Sequence, residues 1–212
     1  MSSIILKNVN KSIKGMPILQ DINLNLEEGK IYGFIGVNGS GKSMLFRAIS
    51  GLIKIDSGSI EVFGEKIGKD VSFPSNLGIL IDEGGFWNDL TAFENLKNLV
   101  AIKQKVDNDT IRKTIERVGL NPDDKRTYRK FSLGMKQRLS IAQAIMESPN
   151  LLILDEPTNA LDADGIELIY NILLEEKNKG TTILIASHNK EDIDNLSDKV
   201  FELYEGKIIG EK

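Results

Sequence analysis

Gly36-Val37-Asn38-Gly39-Ser40-Gly41-Lys42-Ser43 has the residue types and spacing to hold a phosphate chain. It fits the pattern G-x-x-x-x-G-K-[ST]. Glycines let the backbone curl so that several N–H groups point inward at phosphate oxygens, and a helix opening at the end of the loop adds its partial positive charge. On this reading Asn38, Gly39, Ser40 and Gly41 cradle phosphates, Lys42 reaches the β- and γ-phosphates of ATP, and the Ser43 hydroxyl ligates Mg²⁺. The alternative, a glycine turn with an exposed lysine, loses ground because an apolar strand precedes the segment and a helical pattern follows it.

A second candidate is Leu151-Leu152-Ile153-Leu154-Asp155-Glu156-Pro157, an apolar strand ending in two acids. In open α/β sheets the carboxyl ends of strands face the ligand. Asp155 is expected to hold Mg²⁺, directly or through water, and Glu156 to orient or deprotonate an attacking water. The competing explanation is a solvated acidic strand end. The single histidine, His188, lies two residues past another apolar run, Thr182 to Ala186. Its expected role is a hydrogen bond to the γ-phosphate and the attacking water. The catalytic set is therefore Glu156, His188 and Lys42.

These groups need elements to carry them. Residues 4–35 alternate apolar and polar positions (Ile4, Leu6, then Ile18, Ile22, Leu24, Leu26), the period of strands with one buried face. Ile31 to Ile35 is a short apolar run suited to a central strand, and Ser59 to Gly64 is another short strand. From about 86 to 148 the pattern turns helical. Thr91 and Glu94 form a T-x-x-E capping box. Asp109 is expected to cap a helix through Ile111, Ile115 and Val118 that closes at Gly119, and Ser132 to cap a third helix. Ile166, Ile169, Tyr170, Leu173 and Leu174 repeat as one helical face. Val200–Leu203 and Lys207–Ile209 flank a hairpin turn.

The fold class expected is α/β: a P-loop NTPase core of mostly parallel sheet with flanking helices, plus an N-terminal antiparallel β subdomain and a helical insertion. Residues 1–212 read as one domain, with 1–83 and 146–212 as the nucleotide-binding core and 84–145 as the helical subdomain.

Composition sets the limits. The chain has 212 residues, 41% hydrophobic and 27% charged, with 27 Lys+Arg against 31 Asp+Glu for a net charge of −4. That is enough apolar content for a real core. The absence of cysteine excludes disulfides, thiolate metal sites and a cysteine nucleophile, and fits a reducing compartment. The mildly acidic balance gives nucleic acid no electrostatic support, so no nucleic-acid partner is expected. No apolar run approaches the roughly 18–20 residues that span a bilayer, and Met1-Ser2-Ser3-Ile4 does not open a secretory signal. A membrane role would have to come through a partner.

Phe131-Ser132-Leu133-Gly134-Met135-Lys136-Gln137-Arg138 resembles the signature of ATP-binding cassette (ABC) ATPases, usually L-S-G-G-Q. The order of motifs is also similar to that family: phosphate loop, helical insertion, signature, acidic strand, Thr158-Asn159-Ala160-Leu161-Asp162, then histidine. The resemblance covers essentially the whole chain. It implies that Ser132 and Gly134 meet ATP bound to a second ATP-binding subunit in a head-to-tail dimer. It also implies a separate transmembrane permease subunit and a peripheral location on the cytoplasmic face of the membrane. Phe86 and Trp87 are candidates for the docking groove, with core packing the alternative.

Four positions depart from the family pattern. Leu133 stands for the first signature glycine and Met135 for its glutamine. Asp82, with Glu83 the neighbouring alternative, stands where a glutamine usually approaches Mg²⁺. Ile13 stands where an aromatic ring usually stacks on adenine. The signature segment is similar to cassettes of bacterial bacitracin- and bacteriocin-resistance exporters. The expected function is thus the Mg²⁺-dependent ATPase subunit of an exporter of an antimicrobial peptide or drug. The alternatives are a low-turnover nucleotide-dependent regulatory module, a soluble non-transport ABC ATPase and a small-molecule kinase.

Overall fold

The computed structural model describes residues 2–81, 85–101, 106–188 and 190–212. The alternating N-terminal segment folds as β1 (Ser2–Ile13) and β2 (Met16–Glu27), which pair antiparallel. With β4 (Ser57–Val62) and β5 (Glu65–Lys66) they form a four-stranded sheet in the order β2-β1-β4-β5. Leu19, Ile22, Leu24 and Leu26 are buried and the residues between them are mostly open, as a period of two requires.

The second sheet has six strands. They are β3 (Ile31–Ile35), β6 (Leu77–Leu80), β7 (Leu151–Asp155), β8 (Thr182–Ala186), β9 (Lys199–Tyr204) and β10 (Lys207–Glu211). Their order is β10-β9-β3-β8-β7-β6, parallel throughout except for the β9–β10 hairpin. Both faces are covered, which is why these strands are almost uninterrupted apolar runs. One face, with Tyr32, Phe34, Ile153 and Phe201, packs against the antiparallel sheet and α1 (Lys42–Ile49). Phe34 meets Phe46 edge-on at 5.2 Å and stacks on Phe201 at 5.4 Å. Leu45, Phe46 and Ile49 are fully buried, and each such side chain stabilises the fold by about 1.5–3 kcal/mol. This anchors α1 directly behind the phosphate loop.

The other face packs against α4 (Leu133–Ile145), α5 (Ala163–Asn178) and α6 (Lys190–Leu196). Its apolar cluster runs on without a break into α2 (Ala92–Val100) and α3 (Asn108–Arg117) through Leu96, Ile111 and Ile115. Arg117 at the end of α3 adds a polar tie, with ion pairs to Glu175 and Glu176 of α5 at 2.6 and 2.5 Å. The architecture is α/β, with a mostly parallel sheet, flanking helices, an antiparallel β unit and a helical segment.

Two local expectations change. The cap of α3 is Asp107, whose carboxylate accepts from the Thr110 N–H at 2.8 Å; Asp109 lies inside the first turn. A cap must stand two or three residues ahead of the N–H it takes, and Asp107 has that spacing to Thr110. Phe86 is not a free groove residue: it packs against the core with its ring 5.2 Å from Tyr128. Trp87 beside it is 49% exposed.

Candidate nucleotide site

Sheet order decides which side chains meet. β8 lies between β3 and β7, and Phe34, Ala186 and Asp155 stand level in the parallel register. The carboxyl ends of these strands therefore bring the phosphate loop, His188 and the Asp155-Glu156 pair side by side.

The loop leaves β3 through Gly36, whose φ is 154°; a Cβ there would stand 2.3 Å from the Leu203 carbonyl oxygen. Only glycine fits. The loop enters α1 through Gly41, in the left-handed region at φ 110°, with no side chain capping the helix. The first N–H groups of α1 are thus left to a ligand. Lys42 is only 7% exposed, and its ammonium donates to the carbonyls of Gly36 at 2.6 Å and Val37 at 3.3 Å. The long side chain is folded over the loop it belongs to. The β9–β10 turn braces the loop from outside. Gly206 N–H donates to the Ser40 carbonyl, the Gln20 N–H to the Gly206 carbonyl, and the Gln20 amide to the Glu205 carbonyl, each at 2.8 Å.

Asn38 to Met44, Ile18, Asp155 and Glu156 line one cavity of about 300 Å³. Six expected phosphate-loop residues and both acids are therefore in one place. The Ser43 hydroxyl and Asp155 carboxylate are hard oxygen donors on that wall. Mg²⁺ typically takes one or two carboxylates together with substrate phosphates and keeps several waters. The donor set fits such a cation. Among the described residues no group of three or more His, Cys, Asp or Glu forms a cage for a metal alone.

Glu156 has φ 52°, a left-handed backbone for a residue with a side chain. Its N–H donates to the Ala186 carbonyl at 2.8 Å, and its Oε2 is 2.8 Å from His188 Nδ1. The only histidine is thus paired with the second acid: Glu156 lines the cavity, and His188 stands beside it, largely exposed.

Ser132 and Gly134 are elsewhere. Ser132 Oγ caps α4 by accepting from the Met135 N–H at 3.2 Å. A Cβ on Gly134 would be 2.9 Å from the Ala160 carbonyl oxygen, so the first turn of α4 lies tight against the 158–162 loop. These residues, with Leu133 and Met135, line a separate cavity of about 570 Å³. Ile13 closes the β1–β2 hairpin at 40% exposure and is not on the phosphate cavity wall; Ile18 is. Asp82 and its alternative Glu83 lie outside the described residues.

The sequence predicts the hairpin turn at Glu205-Gly206 but not that it braces the phosphate loop, since it sits far along the chain. Sequence reasoning names Gln137 but gives it no task. The Gln137 amide nitrogen donates to the carbonyls of Glu156 and Pro157, both at 3.0 Å.

The sequence pattern of the ABC transporter family matches residues 19–159. The uncharacterized ABC transporter ATP-binding protein YybJ of Bacillus subtilis (strain 168) is 48% identical over 95% of this chain and 92% of its own. The lantibiotic transport ATP-binding protein SrtF of Streptococcus pyogenes is 41% identical, covering 98% of this chain and 89% of its own. The bacitracin transport ATP-binding protein BcrA of Bacillus licheniformis is also 41% identical, over 100% of this chain and 70% of its own. Among solved structures, a dimeric ATP-binding cassette bound to ADP and Pi superposes with a TM-score of 0.89 over 99% of this chain and 97% of that one, at 23% identity. At that identity the likeness is one of fold.

Proposed function

The chain belongs to the ABC transporter family, and on that premise we propose that it is the Mg²⁺-dependent ATPase subunit of an exporter, hydrolysing ATP to ADP and phosphate. The observation that carries the reading is Glu156, which lines the same cavity as Lys42 and Ser43 and has its Oε2 2.8 Å from His188 Nδ1.

The Asn38–Gly41 backbone and the start of α1 hold the phosphates, and Lys42 turns its ammonium from loop carbonyls to the β- and γ-phosphates. Ser43 and Asp155 would hold Mg²⁺, which when bound would supply charge neutralisation at the phosphate oxygens; Asp82, the further oxygen ligand expected from the sequence, lies outside the described residues. Ile13 gives adenine an aliphatic contact. Glu156 orients the attacking water and takes its proton as the water oxygen bonds to the γ-phosphorus. The bond from that phosphorus to the β–γ bridging oxygen breaks, and ADP leaves with the electron pair. His188 holds the Glu156 carboxylate in line and reaches the γ-phosphate. A positioned general base of this kind contributes typically about 10²–10⁴-fold in rate.

The second subunit enters through α4. Ser132 and Gly134 of one chain meet the nucleotide on the phosphate loop of the other. Among the described residues no helix is long and apolar enough to cross a membrane. A separate permease is the partner this reading assigns, in keeping with the transport names of SrtF and BcrA. Exposed Trp87, within the 84–145 helical subdomain, is the residue of this chain assigned to that contact. The chain then sits peripherally on the cytoplasmic face. The names of SrtF and BcrA point to a lantibiotic- or bacitracin-like antimicrobial peptide, or a drug, as cargo.

The test is Mg²⁺-dependent ATP hydrolysis across a range of protein concentration, wild type beside Glu156→Gln. Turnover should rise more than linearly with concentration and fall at least about 100-fold in the variant while ATP still binds. Wild-type turnover in Glu156→Gln removes the base assignment.

A further inference from the structure

Gln137 has no task in the site as read so far, yet both hydrogens of its amide nitrogen are committed. The Gln137 nitrogen carries two hydrogens, and the two oxygens in front of it, Glu156 and Pro157 carbonyls, each lie at 3.0 Å. Both are acceptors only, so the nitrogen end must face them. The backbone it grips is strained: Glu156 sits at φ 52°, a conformation that persists only where its surroundings over-determine it. Part of that frame is local. The Glu156 N–H is fixed to Ala186 at 2.8 Å, and its carbonyl also accepts from the Asn159 N–H at 3.2 Å. Gln137 ties this turn to α4.

Gln137 stands five residues beyond Ser132, about 7.5 Å along the helix axis. The same helix touches the same loop a second time, where Gly134 lies against the Ala160 carbonyl. Any shift of α4 is therefore delivered to the backbone of Glu156. We propose that Gln137 is a positioning residue for Glu156, linking the base of one phosphate site to the helix whose N-terminus forms the other. The assignment rests on Glu156 being the base. In a head-to-tail dimer the two sites on one chain serve two different nucleotides. A nucleotide held by α4 would then set the base that acts on the nucleotide held by the phosphate loop.

The experiment uses the full chain as wild type, Gln137→Met, Gln137→Lys, Glu156→Gln and the Gln137→Met/Glu156→Gln double variant. Methionine matches the length and donates nothing; lysine restores donors at similar reach. Gln137→Met should lower kcat about 10–100-fold, the usual effect of a small misplacement of a reacting group. KM for ATP should stay within about threefold, which a general loss of structure would not do, and the Hill coefficient should fall towards one. Gln137→Lys should recover most of the loss, and the double variant should be no slower than Glu156→Gln alone. Amide hydrogen exchange of residues 155–160 should rise selectively in Gln137→Met, a readout that needs no turnover. Should Gln137→Met fail to fold, Gln137→Glu, of the same shape and without donors, takes its place.

Unchanged exchange in 155–160, a kcat within about twofold of wild type, or losses that multiply in the double variant would each overturn the role of Gln137. A Glu156→Gln variant that turns over normally strikes the base reading instead, so the two failures are distinct.

Discussion

The first turns of α1 and α4 carry no acidic residue, whereas those of α2, α3 and α5 carry Glu94, Asp109 and Asp164. A carboxylate in the first turn compensates the positive end of a helix. These three supporting helices are closed in this way. The two that open the phosphate loop and the signature segment keep their positive ends uncompensated. These two also differ from each other. α1 has no capping side chain, begins at a buried lysine and faces a cavity walled by its own chain. α4 is capped by Ser132 and begins at Leu133, which is 66% exposed. In the proposed reading the first is a complete phosphate site, and the second is half of one and needs a ligand brought to it.

The largest expected difference between the two is in binding. Lys42→Ala should weaken ATP binding about 100-fold, the scale of a charge-assisted hydrogen bond lost from a buried group. A nucleotide titration of the purified chain checks it, and unchanged affinity would remove the phosphate-loop assignment. Leu133→Glu is the corresponding break at α4. Its carboxylate should favour the helix by about 0.3–1 kcal/mol. Thermal unfolding should then rise by a degree or a few, since about 1 kcal/mol moves a domain of this size by roughly 2–4 °C. ATP affinity of the single chain should not change, because position 133 is not on the phosphate cavity wall. Turnover should nevertheless fall about 10-fold or more, from a like charge set against phosphate. A more stable protein with undiminished turnover would show that no phosphate comes to α4.

Much of this contrast is legible in the sequence, and the reason is local. Gly36 to Ser43 specify a loop through glycine conformations and a helix start that lie within eight residues. Ser132 announces a cap because the N–H it takes is three residues away. Asp155 and His188 could be placed on one sheet edge because the first ends an apolar strand and the second follows another by two residues. What the sequence could not show is contact between distant segments. The Glu205-Gly206 turn under Ser40 and the Gln137 grip on Glu156 depend on how the sheet and α4 pack, not on any spacing along the chain. Asp107 against Asp109 failed for a narrower reason. Both are caps by residue type, and residue type alone does not decide which turn is the first.

That pair supplies the smallest test of the comparison. The Thr110 backbone N–H, followed by its side chain, holds the Asp107 carboxyl below the ordinary aspartate value. A folded value below the unfolded one means that the carboxylate's contribution is complete above the unfolded value, about 3.9. It is lost as the pH falls through the folded value. Asparagine caps a helix about as well as aspartate but does not ionise. Asp107→Asn should therefore leave stability at pH 7 close to wild type and make the protein less sensitive to acid below about pH 4. Denaturant midpoints measured from pH 7 downwards check it, and an acid slope equal to wild type would count against Asp107 as the cap. The cap of α4 is a serine, which has no such titration, so Ser132 cannot contribute to that slope. If acid loosens α3 while α4 holds, the supporting helices are the ones closed by charge, and the signature helix is left with a neutral cap beside an unspent positive end.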